Sequence, residues 1–240
     1  MDFIFSKEVK KHKNNNLPIL ALESTIIAHG MPYPESYLFA KNIEFNCREK
    51  GVAPATIAVL DGRVHIGLTN KELKRICQSK KMLKLSKRDL PFALAKKQSG
   101  ATTVSSTLWL AYRAGISVFS TGGIGGVHRE VDKHFDVSQD LKTLSETPII
   151  TISAGAKSIL DLPKTIEKLE TLGVPIVGYK SNFFPAFYTR SSGLKVDKTI
   201  DTEKQAALLF LEHLKLGLCS SLLIVNPISK KNEIPQNKID

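Results

Sequence analysis

The 240-residue chain is expected to fold as an α/β protein, a largely parallel central sheet flanked by helices, with one β-hairpin as decoration. Two observations predict this class. Short apolar, β-branched runs alternate with longer amphipathic segments almost throughout, the pattern of repeated strand–helix units. No apolar run approaches the roughly 18 residues that would point to a membrane span instead.

In chain order, LPILALEST (17–25) reads as a strand. PESYLFAKNIEFNCREKG (34–51) reads as a helix with Phe39, Ile43 and Cys47 at four-residue spacing, closed by Gly51. ATIAVLDGRVHIGL (55–68) is a hairpin turning at Asp61-Gly62, a strong local turn signal. A helix follows at TNKELKRICQS (69–79), capped by Thr69 or Asn70. KMLKLS is a short strand, and DLPFALAKKQSG a helix running from near Asp89 to Gly100. STLWLAYRAG (106–115) is helical, and ISVFSTGG (116–123) is a buried strand ending in glycines. SQDLKTLSE is a short helix and TPIITIS (147–153) another buried strand. PKTIEKLETLG (163–173) has proline in its first turn and glycine at its end, as helices do. VPIVGY (174–179) is a strand, DTEKQAALLFLEHLKLG (201–217) a helix, and SLLIVNP (221–227) a last buried strand. The reading is a single domain over 1–240, without internal repeat, with residues 1–16 and 229–240 poorly ordered.

Hydrophobic content of 42% and charged content of 24% are ordinary for a soluble globular protein. Cys47, Cys77 and Cys219 are odd in number and lack C-x-x-C spacing. That argues against a disulfide framework or zinc site and for a reducing, cytoplasmic setting. The N-terminal apolar stretch is too short for a secretory signal, and Asp2 and Glu8 fit poorly with a transit peptide. The net charge of +11 is spread along the chain, and the aromatic residues, 7% of it, are not interleaved with the basic ones as a stacking platform requires. This favours a basic surface whose field suits a small anionic substrate such as a phosphate ester, with neither nucleic acid nor membrane as partner.

In open α/β sheets ligands gather outside the carboxyl ends of the strands. Five stretches fall at such ends: Glu23-Ser24-Thr25 with His29-Gly30, Lys84-Leu85-Ser86, Gly122 to Gly126 with His128, Asp136 to Asp140, and Lys157. The loop STGGIGGVHR is no Walker loop and misses the dinucleotide fingerprint, since His128 stands where the third glycine belongs. Two readings stay open for it: amides that hold an anion, or a tight loop that backbone geometry demands. In HREVDKHFDVSQD, His128, Asp132, Asp136 and Asp140 recur every four residues, one polar stripe if helical. Such donors suit a mostly hydrated Mg²⁺ or Mn²⁺ ion; a solvated charged segment is the other reading.

Glu23 ends the apolar strand ILALE. Desolvation there favours a protonated carboxyl able to deliver a proton; the alternative is a structural acid paired with arginine or backbone N–H groups. Lys157 sits in TISAGAKSIL, with no charged residue between Glu146 and itself. An amine attacks carbon only when neutral, and the ordinary lysine pKa of about 10.4 leaves little of that form at neutral pH. Apolar burial, a nearby cation or the positive end of a helical turn favours it. The small residues at 154–156 leave room for a substrate carbon. A Schiff-base nucleophile and a lysine lining an anion site or pairing with a buried acid both remain open on the residues alone.

Taken together, these residues resemble the pseudouridine-5′-phosphate glycosidase family, also called indigoidine synthase A-like. The resemblance rests on ALESTIIAHGMP (21–32), GVAPATIAVLDG (51–62), LSKRDLP (85–91), GATTVSSTL (100–108), VFSTGGIGGVHR (118–129), FDVSQDL (135–141), AGAKSILDLPKTIEKLETLGVPIVGY (154–179), FPAFYTRSSG (184–193) and NPI (226–228), in order over nearly the whole chain. It implies that family's α/β/α fold, and reversible cleavage of the C–C glycosidic bond of pseudouridine 5′-phosphate to uracil and ribose 5-phosphate. It implies one manganese ion per subunit and a homotrimer. By motif, Lys157 would be the nucleophile bonding C1′ of the opened ribose, and Glu23 the proton donor to the uracil carbon. Asp136 would hold the metal, largely through water. Lys84, Val104 (through its backbone), Ser138, Gln139 and Asp140 would contact substrate, and His128 would line the pocket. Family members continue past NPI with a helical region carrying T-P-F-L-L and an asparagine that reaches the active site; SKKNEIPQNKID stands there in this chain. The expectation is therefore that this region is absent and apolar surface left exposed. The alternative function is a shortened, catalytically impaired member that binds sugar phosphate or a full-length relative.

Overall fold

The structure is a computed structural model that describes residues 2–234. The chain divides into two compact units, Met1–Phe119 and Ser120–Asp240, where the sequence reads as one domain. Each has a core of its own. Leu60, Leu73, Ile76 and Met82 pack together in the first, and Val177, Phe210, Leu222 and Ile224 in the second. Mostly parallel strands flanked by helices make up the fold, as expected.

The first unit runs β1 (Phe3–Phe5), α1 (Lys7–Asn14), β2 (Ile19–Leu22), α2 (Glu35–Glu49), β3 (Ala53–Leu60), β4 (Arg63–Ile66), α3 (Asn70–Gln78), β5 (Leu83–Leu85), α4 (Leu90–Ala95), β6 (Gly100–Thr102) and α5 (Val104–Arg113). Its axis is β3, buried at every position because α1, α2 and α5 pack on it. β4 returns antiparallel through the expected turn, where Asp61 and Gly62 adopt φ of 50° and 73°. On the other edge of β3, β2 runs parallel along Ala53–Thr56 and β6 antiparallel along Ala58 and Val59. The ends of β2 and β6 therefore meet beside Ile57.

Three expectations for this unit are corrected. Residues 3–14 are not poorly ordered. β1 pairs with β4, Ser6 caps α1 through Val9 N–H at 3.2 Å, and Val9 is fully buried. β6, hidden in the sequence behind Gly100, is a strand because it completes the edge of β3. On α2 the buried residues are Ser36, Ala40 and Glu44, while Phe39 is exposed. Polar partners turn the helix. The Glu44 carboxylate accepts from Thr56 Oγ1 at 3.1 Å and from Arg48 at 3.2 Å, and Arg48 also donates to both oxygens of Glu8. Burial pushes the Glu44 carboxyl above its ordinary range, opposed by Arg48.

β7 (Val118–Ser120) spans the boundary in sequence. The second unit continues with α6 (Val131–His134), α7 (Gln139–Ser145), β8 (Ile150–Ser153), α8 (Leu162–Thr171), β9 (Ile176–Tyr179), β10 (Thr199–Ile200), α9 (Glu203–Lys215) and β11 (Leu222–Val225). Its strands lie in the order β8-β11-β9-β10, all parallel. Asp161 caps α8, accepting from Lys164 N–H at 3.1 Å, and that bond holds its carboxyl below the usual range. α9 buries Phe210 and His213 and exposes Leu208, Leu209, Leu211 and Leu214. Residues 229–234, expected to be poorly ordered, are tied down: Glu233 accepts from Arg190 N–H at 2.8 Å, and Ile234 N–H donates to Tyr188 at 2.9 Å. The rest of that expectation, 235–240, lies outside the described residues. Among the described residues, no helix is long and apolar enough to cross a membrane.

Candidate active site

In the first unit the meeting of β2 and β6 builds one rim. Ser24 and Thr102 both donate their hydroxyls to Ile57 C=O at 2.6 Å, and Thr102 N–H donates to Ser24 Oγ at 2.9 Å. Thr25 Oγ1 donates to Thr102 C=O at 2.8 Å. This buried network pins the residue before it, Glu23, half-buried at the end of β2. Val104 is buried at the start of α5, one residue past Thr103, and the first amides of a helix have no intrahelical acceptor. Lys84, exposed on β5, pairs with Ala101 of β6. The first unit thus places Glu23 and Val104 just past the meeting ends of β2 and β6, with Lys84 on the neighbouring β5.

The second unit assembles the remaining residues around Gly122–His128. On one side stands the segment bearing Lys157. Ala154 N–H donates to Gly122 C=O at 3.1 Å, Ile124 N–H to Gly155 C=O at 3.0 Å, and Lys157 N–H to Ile124 C=O at 3.1 Å. A turn, Leu160 N–H to Lys157 C=O at 3.1 Å, then carries the chain toward α8. Gly155 has to be glycine here: its φ is +85°, and a Cβ would overlap Pro185 C=O. Lys157 itself is half-buried.

On the other side stands 136–140. His128 N–H donates to Asp136 C=O at 3.0 Å, and Ser138 N–H to Gly126 C=O at 2.9 Å. The buried Asp140 carboxylate accepts from Gly125 N–H at 2.8 Å, and Ser138 Oγ accepts from Asp140 N–H at 3.2 Å. Gln139 follows, half-buried at the first position of α7. Lys157, His128, Asp136, Ser138, Gln139 and Asp140 are therefore gathered by one loop. A cavity of about 420 Å³ opens beside it, lined in part by Ser158 and by Arg129, which donates to Ser158 C=O at 3.3 Å.

The structure bears on two questions left open by the sequence. The glycines at 122–126 lie outside the left-handed region; they are small because neighbours press on them. A Cβ on Gly125 would overlap Ser138, and one on Gly126 would overlap Thr165. The anion-cradle reading loses ground, because the amides of Ile124, Gly125, Val127 and His128 are already spent on Gly155, Asp140, Thr165 and Asp136. The four-residue stripe is likewise no helix face. Asp132 pairs outward with Lys164 at 3.2 Å, whereas Asp140 points inward.

For a metal, the described residues hold no group of three or more His, Cys, Asp or Glu side chains. Asp136 Oδ2 lies 3.7 Å from His128 Nδ1, and both side chains are solvent-accessible. One carboxylate with open coordination sites fits a hydrated divalent ion that keeps several waters, and does not fit an all-protein cage.

Phe187 is a residue the sequence reading did not single out. It adopts φ of 62°, donates its N–H to Ala154 C=O at 3.0 Å, and lays its ring on Gly122 and Gly123. Its only sequence signal is its place in FPAFYTRSSG.

The profile of the indigoidine synthase A like protein family matches residues 8–240. Curated relatives named pseudouridine-5′-phosphate glycosidase include that of Caldanaerobacter subterraneus subsp. tengcongensis, 50% identical over 98% of this chain and 76% of its own. That of Brachyspira hyodysenteriae is 51% identical over the same shares. Among solved structures, an indigoidine synthase A-like protein of Thermotoga maritima superposes with a TM-score of 0.91 at 34% identity, covering 99% of this chain and 77% of that one. The prealnumycin C-glycosynthase in complex with ribulose 5-phosphate also gives 0.91, at 36% identity, covering 98% and 76%.

Proposed function

The chain belongs to the indigoidine synthase A-like family, and we infer that it cleaves, reversibly, the bond between uracil C5 and ribose C1′ of pseudouridine 5′-phosphate. The observation that carries this is about 50% identity, over 98% of the chain, to curated enzymes of that name. A relative of the same fold that makes a C-glycosidic bond and binds a pentulose phosphate supports it.

The residue roles follow from what the reaction demands. A carbon leaving group cannot be released by protonating an oxygen or nitrogen, so two carboxylates of the O-glycosidase kind do not suffice. Lys157 Nζ, as the neutral amine, attacks C1′, the C1′–O4′ bond breaks, and the ring oxygen takes a proton as the attacking nitrogen gives one up, which restores the nitrogen lone pair. The nitrogen lone pair then moves toward C1′ as the C1′–C5 bond breaks and Glu23 delivers a proton to C5. Uracil leaves, and C1′ remains joined to Lys157 as an iminium. Water hydrolyses that bond, giving ribose 5-phosphate and the free amine, so the net change is the addition of one water.

Holding the nucleophile by its backbone on both sides of residue 157 is the service the glycine loop renders. Lys84, the Val104 amide, Ser138, Gln139, Asp140 and His128 are assigned to substrate, with the Asp140 side chain committed to Gly125 and therefore acting through the loop. Asp136, beside His128, is assigned to one Mn²⁺ per subunit, which when bound would balance substrate charge and order water. A homotrimer in the cytoplasm completes the reading, and sedimentation of the purified protein checks the assembly.

The test is release of uracil from pseudouridine 5′-phosphate with Mn²⁺ present, followed by chromatography. Lys157→Ala is expected to lower kcat/KM by more than about 10³-fold. A folded wild-type protein that binds ribose 5-phosphate yet releases no uracil would make this a sugar-phosphate-binding protein instead.

A further inference from the structure

We propose that Phe187 is a positioning residue for Lys157, a wedge whose ring and amide together hold the glycine loop against the segment that carries the nucleophile. The proposal rests on the C–C glycosidase reading above, and three observations lead to it.

First, Phe187 contacts both partners at once. Its N–H donates to Ala154 C=O at 3.0 Å, three residues before Lys157. Its ring covers Gly122 and Gly123, so closely that a Cβ on Gly123 would lie 2.5 Å from Phe187 Cδ2. The same two strips are joined by the Gly122–Ala154, Ile124–Gly155 and Ile124–Lys157 hydrogen bonds. The ring closes the open end of that short ladder.

Second, the placement is over-determined. Phe187 has φ of 62°, a left-handed conformation that is strained for a bulky side chain and persists only where the surroundings impose it. They do. Ala186 bridges Gly155 on one side and Thr189 on the other, and the Tyr188 ring stands edge-on to Phe187 at 4.5 Å and 83°. Tyr188 C=O in turn accepts from Ile234 N–H.

Third, the contact explains a residue choice that backbone conformation does not. Gly123 lies outside the left-handed region, so alanine would be allowed there but for the ring. The small residue at 123 and the aromatic at 187 form one fitted pair.

Covalent attack depends on placement of the amine, and an error of about 1 Å can cost about 10²-fold in rate. Phe187→Ala is therefore expected to lower kcat for uracil release by about 10²-fold while KM stays within about threefold, because the ring fixes the nucleophile more than it binds substrate. The rate of borohydride-trapped adduct formation at Lys157 should fall in parallel. Phe187→Tyr keeps the ring and should retain the wild-type rate. Gly123→Ala should by itself reproduce the loss by pushing the ring away, and in the Phe187→Ala background it should add nothing further, since the Cβ then has room.

Phe187→Ala turning over at the wild-type rate would overturn the proposal, as would multiplicative losses in the double variant. If Phe187→Ala does not fold, Gly123→Ala carries the test, and an unaltered kcat there overturns it. A wild-type protein that releases no uracil sinks the functional reading instead, so the two failures are distinguishable.

Discussion

Lys157 owes its placement to the backbone around it. Its N–H is held by the glycine loop, its C=O by the turn to Leu160, and Gly155 just before it fits only without a Cβ. The lysine itself was legible in the sequence, because an isolated cation among tiny residues is unusual. Phe187 was not, since nothing in a sequence marks a phenylalanine that will adopt positive φ or a glycine that is small because a distant ring lies on it. Asp61 offers a test of electrostatics well away from the site. Arg75 donates to both of its oxygens at 2.8 and 2.6 Å, and Ser99 Oγ adds a bond at 3.0 Å, holding the carboxyl at about 2. A lowered carboxylate stabilises the fold above its unfolded pKa, near 4, and that contribution disappears as pH falls toward 2. Asp61→Asn should therefore lower stability at pH 7 by no more than about 1 kcal/mol, the pair being exposed, and should match wild type near pH 2. Urea melts at the two pH values read the difference.

At the scale of elements, strands such as β8 and β11 were legible because each is an apolar β-branched run between turn signals. β1, β6 and β10 are two or three residues long and exist only through their partners, which no local pattern reveals. The apolar stripe of α2 was misread for a related reason: the bonds of Glu44 to Thr56 and Arg48 outweigh the preference of Phe39 for the interior. α9 shows what apolar content does and does not reveal. Of its residues Leu208 to Leu214, only Phe210 and His213 are buried, with their rings stacked 6.3 Å apart. Phe210→Ala should cost about 3–5 kcal/mol, the usual penalty for emptying an aromatic site. Leu211→Gln, at a position 52% exposed, should change stability by less than about 0.5 kcal/mol. Thermal melts of the two variants check the contrast, and equal effects would mean that the face of α9 is wrongly assigned.

For the molecule as a whole, the α/β class followed from alternation of runs, but the division into two units at Phe119 and Ser120 did not. That boundary falls inside β7, a strand whose central Phe119 is buried, with no linker composition to announce it. The candidate site was legible as strand-end loops, because α/β topology sends polar loops to the carboxyl ends of strands. Which atoms in those loops remain available for chemistry was not, as the spent amides of the glycine loop show. The chain's surplus of eleven positive charges suits a phosphorylated substrate, whereas the proposed mechanism rests on one amine, that of Lys157, becoming a carbon–nitrogen bond. The most direct measurement is borohydride reduction of the wild-type enzyme during turnover of pseudouridine 5′-phosphate, followed by peptide mass mapping. A reduced ribose 5-phosphate adduct is expected on the peptide containing Lys157, and none in Lys157→Ala. Uracil release with that peptide unmodified, or an adduct on a different lysine, would contradict it.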